Sequence, residues 1–310
     1  MESKLPDQLT ANGDTMGMAE GFHKFSVGHL QCITLRDGFV PLPRQIAAPE
    51  IDEKEFVDFL EGCGVSMDGL HTPIACLSIS FPDGRHMLVD SGIGTLPGPD
   101  GAPIATAGKF MQSVVAAGID PSSVETILVS HIHPDHIGGL FDGDGRAMFP
   151  NARYHVPRED AEFWGQENPD LSGTLMPPFM RVEVVAAAQR FLHLAGDHIE
   201  MFDAGSDVLA GVDSVLLEGH TPGQVGFLFD GGTEKIFYSS DAAGHQNISI
   251  QRPHWRFAFD TDAQAAIETR KRMVELIHDN GWTMFTPHFP WPAIGRIDKS
   301  AGEFSWVPVR

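Results

Sequence analysis

Residues 130–139 read Ser-His-Ile-His-Pro-Asp-His-Ile-Gly-Gly, so His131, His133, Asp135 and His136 fall within six positions. His131 and His133 stand two apart, and an extended backbone turns both rings to one side. Asp135 and His136 follow where the chain turns, which lets them face a second point close by. Neutral imidazole with carboxylate is the ligand chemistry of zinc, iron or manganese rather than of calcium or copper(I). No serine or cysteine nucleophile is signalled. The chemistry expected is that of bound metal.

The elements around this stretch decide where those groups can sit. Residues 126–130 read as a buried strand that delivers the histidine-rich loop at its end. Residues 76–81 and 86–90, joined at Pro82-Asp83-Gly84, predict a β-hairpin. Strands are also expected at 152–156, 214–218, 225–229, 235–239 and 283–286, and helices at 110–118 and 159–168. The clearest helix is 262–280. Thr261 and Gln264 form a capping-box pattern, Ala263, Ile267, Val274 and Ile277 line one face, and Gly281 stops it. The Arg270-Lys271-Arg272 cluster on it predicts a solvated face. Residues 1–22 lack periodicity and are expected to be a flexible arm before one α/β domain over 23–310.

Composition narrows the function classes. The chain has 310 residues, 42% of them apolar and 20% charged, as in an ordinary globular protein. Acidic residues outnumber basic ones by 42 to 21, a formal net charge of −21. A field of that sign repels phosphate backbones and anionic lipid, so nucleic acid and membrane surfaces are poor partners. Cys32, Cys63 and Cys76 show no CxxC spacing and read as reduced, buried thiols. No apolar run reaches the roughly 18 residues of a membrane span, and the first twenty residues carry no signal-peptide core. A cytoplasmic location is the expectation.

The 130–139 stretch resembles the HxHxDH signature of the metallo-β-lactamase superfamily. The resemblance implies an αββα sandwich, with two mixed β-sheets flanked by helices. It also implies three later ligands, each just beyond a strand: His220 in Gly219-His220-Thr221-Pro222-Gly223, then Asp241, then His288. One divalent metal would take His131, His133 and His220, and the other Asp135, His136 and His288. Asp241 and a hydroxide would bridge ions roughly 3.5–4 Å apart. Asp135 and Asp241 become the candidate catalytic carboxylates. Zinc is the metal expected, with manganese, cobalt and iron as alternatives. Leu88-Val89-Asp90-Ser91-Gly92 is similar to the superfamily's early aspartate motif, where Asp90 would support the metal loop without touching metal.

Within the superfamily, the presence of Asp241 discounts true β-lactamases, and the net charge discounts the nuclease branches. What remains is the lactonase and organophosphate-hydrolase branch. Residues 130–140, Phe149-Pro150-Asn151-Ala152, 161–164, 219–223, Phe259-Asp260-Thr261-Asp262 and 289–295 look like the methyl parathion hydrolases. That implies a pocket with Trp164, Phe179 and Phe259, taking a small uncharged phosphotriester or aryl ester. Pro97 lies near an aromatic pocket position of those enzymes. A lactonase, including one acting on N-acyl homoserine lactones, is the alternative. Its pattern places a tyrosine three residues after the bridging aspartate, where this chain has Gly244. A non-hydrolytic metal-binding ligand sensor is the alternative of another class. His245 and His254 read as exposed loop histidines, and a homodimer is the expected assembly.

Overall fold

Short apolar runs with period-two alternation become strands whose two faces serve different cores. In the computed structural model, which describes residues 21–67, 70–95, 102, 104–205 and 207–309, fourteen such strands are seen. β1 (Phe22–Val27), β2 (Leu30–Pro41), β3 (His71–Ser80), β4 (His86–Val89), β5 (Thr126–Leu128), β6 (Arg153–Pro157) and β7 (Ile199–Phe202) form one sheet in chain order. β8 (Asp207–Leu209), β9 (Val212–Leu216), β10 (Val225–Asp230), β11 (Lys235–Tyr238), β12 (Thr283–Phe285), β13 (Ile294–Ser300) and β14 (Glu303–Pro308) form the second, again in chain order. Both sheets are mixed. β4 to β7 pair in parallel within the first, β11 and β12 within the second.

The alternation is direct. In β3, Ala75, Leu77 and Ile79 enter the core between the sheets, while Cys76 faces the opposite side. In β10 and β11, Val225, Phe227, Phe229, Ile236 and Tyr238 meet them from the second sheet.

Eight α-helices flank these layers among the described residues: α1 (Arg44–Ala47), α2 (Glu53–Gly62), α3 (Phe110–Ala116), α4 (Pro134–Ile137), α5 (Arg158–Trp164), α6 (Pro178–Ala195), α7 (Ile248–Gln251) and α8 (Ala263–Asn280). Phe110 and Val114 of α3, Trp164 of α5 and Phe191 of α6 cover the outer face of the first sheet. Met273, Val274 and Ile277 of α8 cover the second. The αββα architecture is therefore present. No helix among the described residues is long and apolar enough to cross a membrane.

Several local expectations change. Residues 1–20 and Pro97 lie outside the described residues, and Phe22, assigned to the arm, already opens β1. The cap of α8 is Asp262, which accepts from the Ala265 amide at 3.0 Å. Aspartate places its carboxylate at the amides one residue further along than Thr261 could. The buried face of α8 runs through Ala266, Thr269, Arg270, Met273, Val274 and Ile277, so Ala263 and Ile267 sit at its margin. Gly281 does end the helix, in the left-handed conformation at φ 63°. Arg270 is fully buried, not solvated, and His245 is buried while His254 is exposed. The three cysteines are free, Cys63 being only half-buried.

Candidate metal centre

The strand ends of both sheets meet at one place. The loop after β5 and the short helix α4 bring His131, His133, Asp135 and His136. The loop after β9 brings His220, the turn after β11 brings Asp241, and the chain after β12 brings His288. These seven residues form two groups, His131, His133 and His220, and Asp135, His136, Asp241 and His288. Within each group the ligand atoms lie within 4.8 Å of one another. Asp241 touches both groups: one oxygen lies 3.0 Å from His288 Nε2 and 3.5 Å from His220 Nε2, and the other 3.1 Å from His136 Nε2.

Packing fixes these positions tightly. Gly219 adopts φ +121°, and a Cβ there would stand 2.1 Å from the Ala266 amide nitrogen. A Cβ on Gly223 would stand 2.1 Å from the Asp160 nitrogen. The His220 loop is thus clamped between α8 and α5, and only glycine allows the approach. Asp160, fully buried on α5, accepts from the Ile132 amide at 2.6 Å, between the first two histidines. Burial pushes its carboxyl up to about 6, against the pull of those donated hydrogen bonds.

Each histidine save His133 has one ring nitrogen held by the protein. His136 Nδ1–H donates to Asp90 at 2.7 Å, and His288 Nδ1–H to the Pro73 carbonyl at 2.8 Å. His220 Nδ1–H donates to Asp260 at 3.3 Å, and the hydroxyls of Ser130 and Ser240 lie 3.2 and 3.3 Å from His131 Nδ1. These partners set the tautomers and leave Nε2 with its lone pair. Asp90 does more than orient His136. It also accepts from the Ser130 amide and hydroxyl at 2.8 and 2.7 Å and from the Tyr238 hydroxyl at 2.7 Å. It does so from a left-handed backbone at φ 58°, and Ser240 holds φ 48°. Such conformations typically cost about 1–3 kcal/mol and persist where the surroundings over-determine them.

The donor set fits divalent metal. His131 Nε2, His136 Nε2 and Asp241 Oδ1 are buried without a hydrogen-bond partner, a rare condition that ligation satisfies. His220 Nε2 lies 2.9 Å from His133 Nδ1. With the His220 proton on Nδ1, that contact suits two nitrogens sharing a cation. Burial and the neighbouring histidines hold His131 and His133 well below the usual imidazole range, so both are neutral. For His136 and His288 burial acts the same way, but Asp241 and the other carboxylates outweigh it and raise both. Asp241 is lowered in return: burial opposes ionisation, and His288 and His136 overcome it.

The aromatic candidates divide. Phe259, half-buried, stands 5.8 Å from the His133 ring and 6.3 Å from the His220 ring. Trp164 is fully buried and meets His133 edge-on at 5.4 Å, so it backs that ligand from within the core. Phe179 is 49% exposed at the start of α6. Asp260 and Arg270 are among the supporting residues that escape sequence reasoning, as are Asp160, Tyr238 and Ser240. Asp260 sits in the Phe259–Asp262 segment without having been singled out, and Arg270 reads as surface. Their signal is three-dimensional, because Asp260 lies 40 positions from the histidine it holds.

Residues 72–288 match the profile of the metallo-beta-lactamase superfamily. Among curated proteins the chain is 27% identical over 184 residues to the N-acyl homoserine lactonase AttM of Rhizobium johnstonii, covering 55% of this chain and 65% of that one. It is 31% identical over 118 residues to AttM of Azorhizobium caulinodans, covering 38% and 40%. Each match spans less than two thirds of the relative's length. Among solved structures, AidC, a dizinc quorum-quenching lactonase in complex with an N-acyl-L-homoserine product, superposes with TM-score 0.85 at 27% identity. That match covers 94% of this chain and 98% of AidC. The hydrolase AbOPH of the beta lactamase superfamily gives 0.82 and 26% with the same coverage.

Proposed function

The chain belongs to the metallo-beta-lactamase superfamily, and we propose that within it the protein is a dinuclear zinc lactonase acting on uncharged lactones with an apolar substituent, such as N-acyl homoserine lactones. The observation that carries the dinuclear reading is Asp241, in reach of both ligand groups at once. His131, His133 and His220 would hold one ion, Asp135, His136 and His288 the other, and Asp241 both. When bound, such a pair supplies Lewis acidity and a water acidified to near neutral pH. The lactone class is supported by the likeness to AttM and AidC. It stands ahead of the phosphotriester or aryl ester expected from the sequence, since AttM and AidC are lactonases, whereas AbOPH is named only as a hydrolase.

The protein's own part is positioning and desolvation. Phe259 lies against His133 and His220 and presents an apolar wall beside the ligands.

A phosphotriester or aryl ester is the second reading, and Gly244 favours it. A Cβ there would stand 2.9 Å from the Phe257 ring, so an aromatic ring occupies the place next to residue 244. No phenol from that position can assist a lactone carbonyl. The deciding experiment measures kcat/KM for N-hexanoyl homoserine lactone, a simple aliphatic lactone, methyl paraoxon and p-nitrophenyl esters on one zinc-loaded preparation. Lactones should lead. A lead of tenfold or more by methyl paraoxon would overturn the lactonase reading.

A further inference from the structure

Arg270 is a charged side chain in the core of the second layer, fully buried on the inner face of α8. A guanidinium survives there only if its donors and its charge are met. Nε donates to the Ala242 carbonyl at 3.0 Å, and Nη1 to the carbonyls of Pro253 and Trp255 at 2.9 and 3.0 Å. Nη2 lies 3.5 Å from Asp260 Oδ2. Asp260 is itself fully buried. Its Oδ2 accepts from the Phe257 amide at 2.9 Å, and its Oδ1 from His220 Nδ1 at 3.3 Å.

The two arms of this network end at different ligands. One passes through Asp260 to His220, in the all-imidazole group. The other grips Ala242, one peptide beyond Asp241. The segment that carries Asp260 also meets the His220 loop directly, where the amides of Thr261 and Asp262 donate to the carbonyls of His220 and Gly219. We infer that Arg270 is a positioning residue that holds the His220 loop and the Asp241 turn in register, and so sets how well one centre binds two metals. The inference rests on the dinuclear reading but not on the lactone. The planar fork explains the residue type: five donors in fixed directions reach three carbonyls and a carboxylate, which a lysine ammonium cannot do from one nitrogen.

The test compares wild type with Arg270→Met, Arg270→Lys, Asp260→Asn and Met273→Ala, each as the full chain. Zinc affinities are read by competition with a chromogenic chelator, and manganese-loaded samples by electron paramagnetic resonance. Met273→Ala loosens α8 without touching the network, so it should lower Tm and leave both affinities in place. Arg270→Lys should weaken both metals by about 10–100-fold, the usual cost of losing a partner behind a ligand, and alter the coupled manganese spectrum. Asp260→Asn should weaken mainly one metal. Arg270→Met should match or exceed Arg270→Lys, and if it does not fold, Arg270→Lys carries the test. Wild-type affinities and spectrum in Arg270→Lys would overturn the proposal. So would equal weakening by Met273→Ala, which would make helix packing alone the cause. Altered metal binding in a protein that leaves lactones untouched would retire the lactonase reading and keep this one.

Discussion

The two candidate ligand groups are built on different principles. His131, His133 and His220 are all imidazole and all buried, backed by Trp164, the hydroxyls of Ser130 and Ser240, and Asp260. Asp135, His136, Asp241 and His288 mix nitrogen with two carboxylates, and Asp135 is 25% exposed. In the first group burial and the neighbouring rings hold His131 and His133 well below the usual imidazole range, which readies those two for metal before any ion arrives. In the second, carboxylates raise the proton affinity of His136 and His288, so protons compete with metal more strongly there. The difference teaches that a shared aspartate can join a dry, neutral site to a wetter, charged one.

The hardest way to break this arrangement is at the join. Asp241→Asn should reduce kcat/KM by more than the roughly 100-fold that marks the upper end for outer partners of a ligand, and lower the metal content. Steady-state kinetics beside plasma mass spectrometry checks both. Asp90→Asn should cost less, about 10–100-fold, and act mainly on the carboxylate-rich group, because Asp90 bonds His136 directly and reaches His131 only through the Ser130 hydroxyl. Loss of a single metal in that variant sharpens the contrast; equal loss of both erases it.

Acid should separate the groups further. Raised imidazoles take protons first as pH falls, and a protonated ring cannot ligate. His136 and His288 are raised whereas His131 and His133 are lowered. The metal held by the carboxylate-rich group should therefore leave at higher pH than its neighbour. Metal release against pH, followed with a fluorescent zinc indicator, should show two steps; a single step would mean the groups act as one. The smallest effect belongs to Trp164→Phe. It keeps an aromatic contact with His133 and should change kcat/KM by less than tenfold, in line with the about 0.5–1.5 kcal/mol of such pairs.

How much of this was legible depended on distance along the chain. The first four candidate ligands declare themselves because their spacing is local and a buried strand precedes them. His220, Asp241 and His288 are visible only through the resemblance, since one histidine or aspartate after a strand carries little information alone. The strands were legible as apolar runs, and the last long helix by its stop at Gly281. Arg270 was not. A guanidinium beside Lys271 and Arg272 has the composition of a wet surface, and only the fold turns carbonyls from Ala242, Pro253 and Trp255 toward it. His245 misled for the same reason, because burial of a loop histidine is set by what packs over it.

The order of the strands has a mechanical consequence. The chain up to Phe202 makes one sheet and the chain from Asp207 makes the other. Each ligand group draws on both: His131 and His133 with His220, and Asp135 and His136 with Asp241 and His288. A bound ion is then a cross-link between the two halves of the polypeptide, laid across the same seam that the Tyr238–Asp90 hydrogen bond spans. Ions that bind only the closed sandwich shift its opening equilibrium by mass action, about 4 kcal/mol at a thousandfold excess over Kd. The stiffness of the molecule along that seam is thereby coupled to the free metal around it. Tm should climb with zinc concentration, as a joint tightens when its rivets are set.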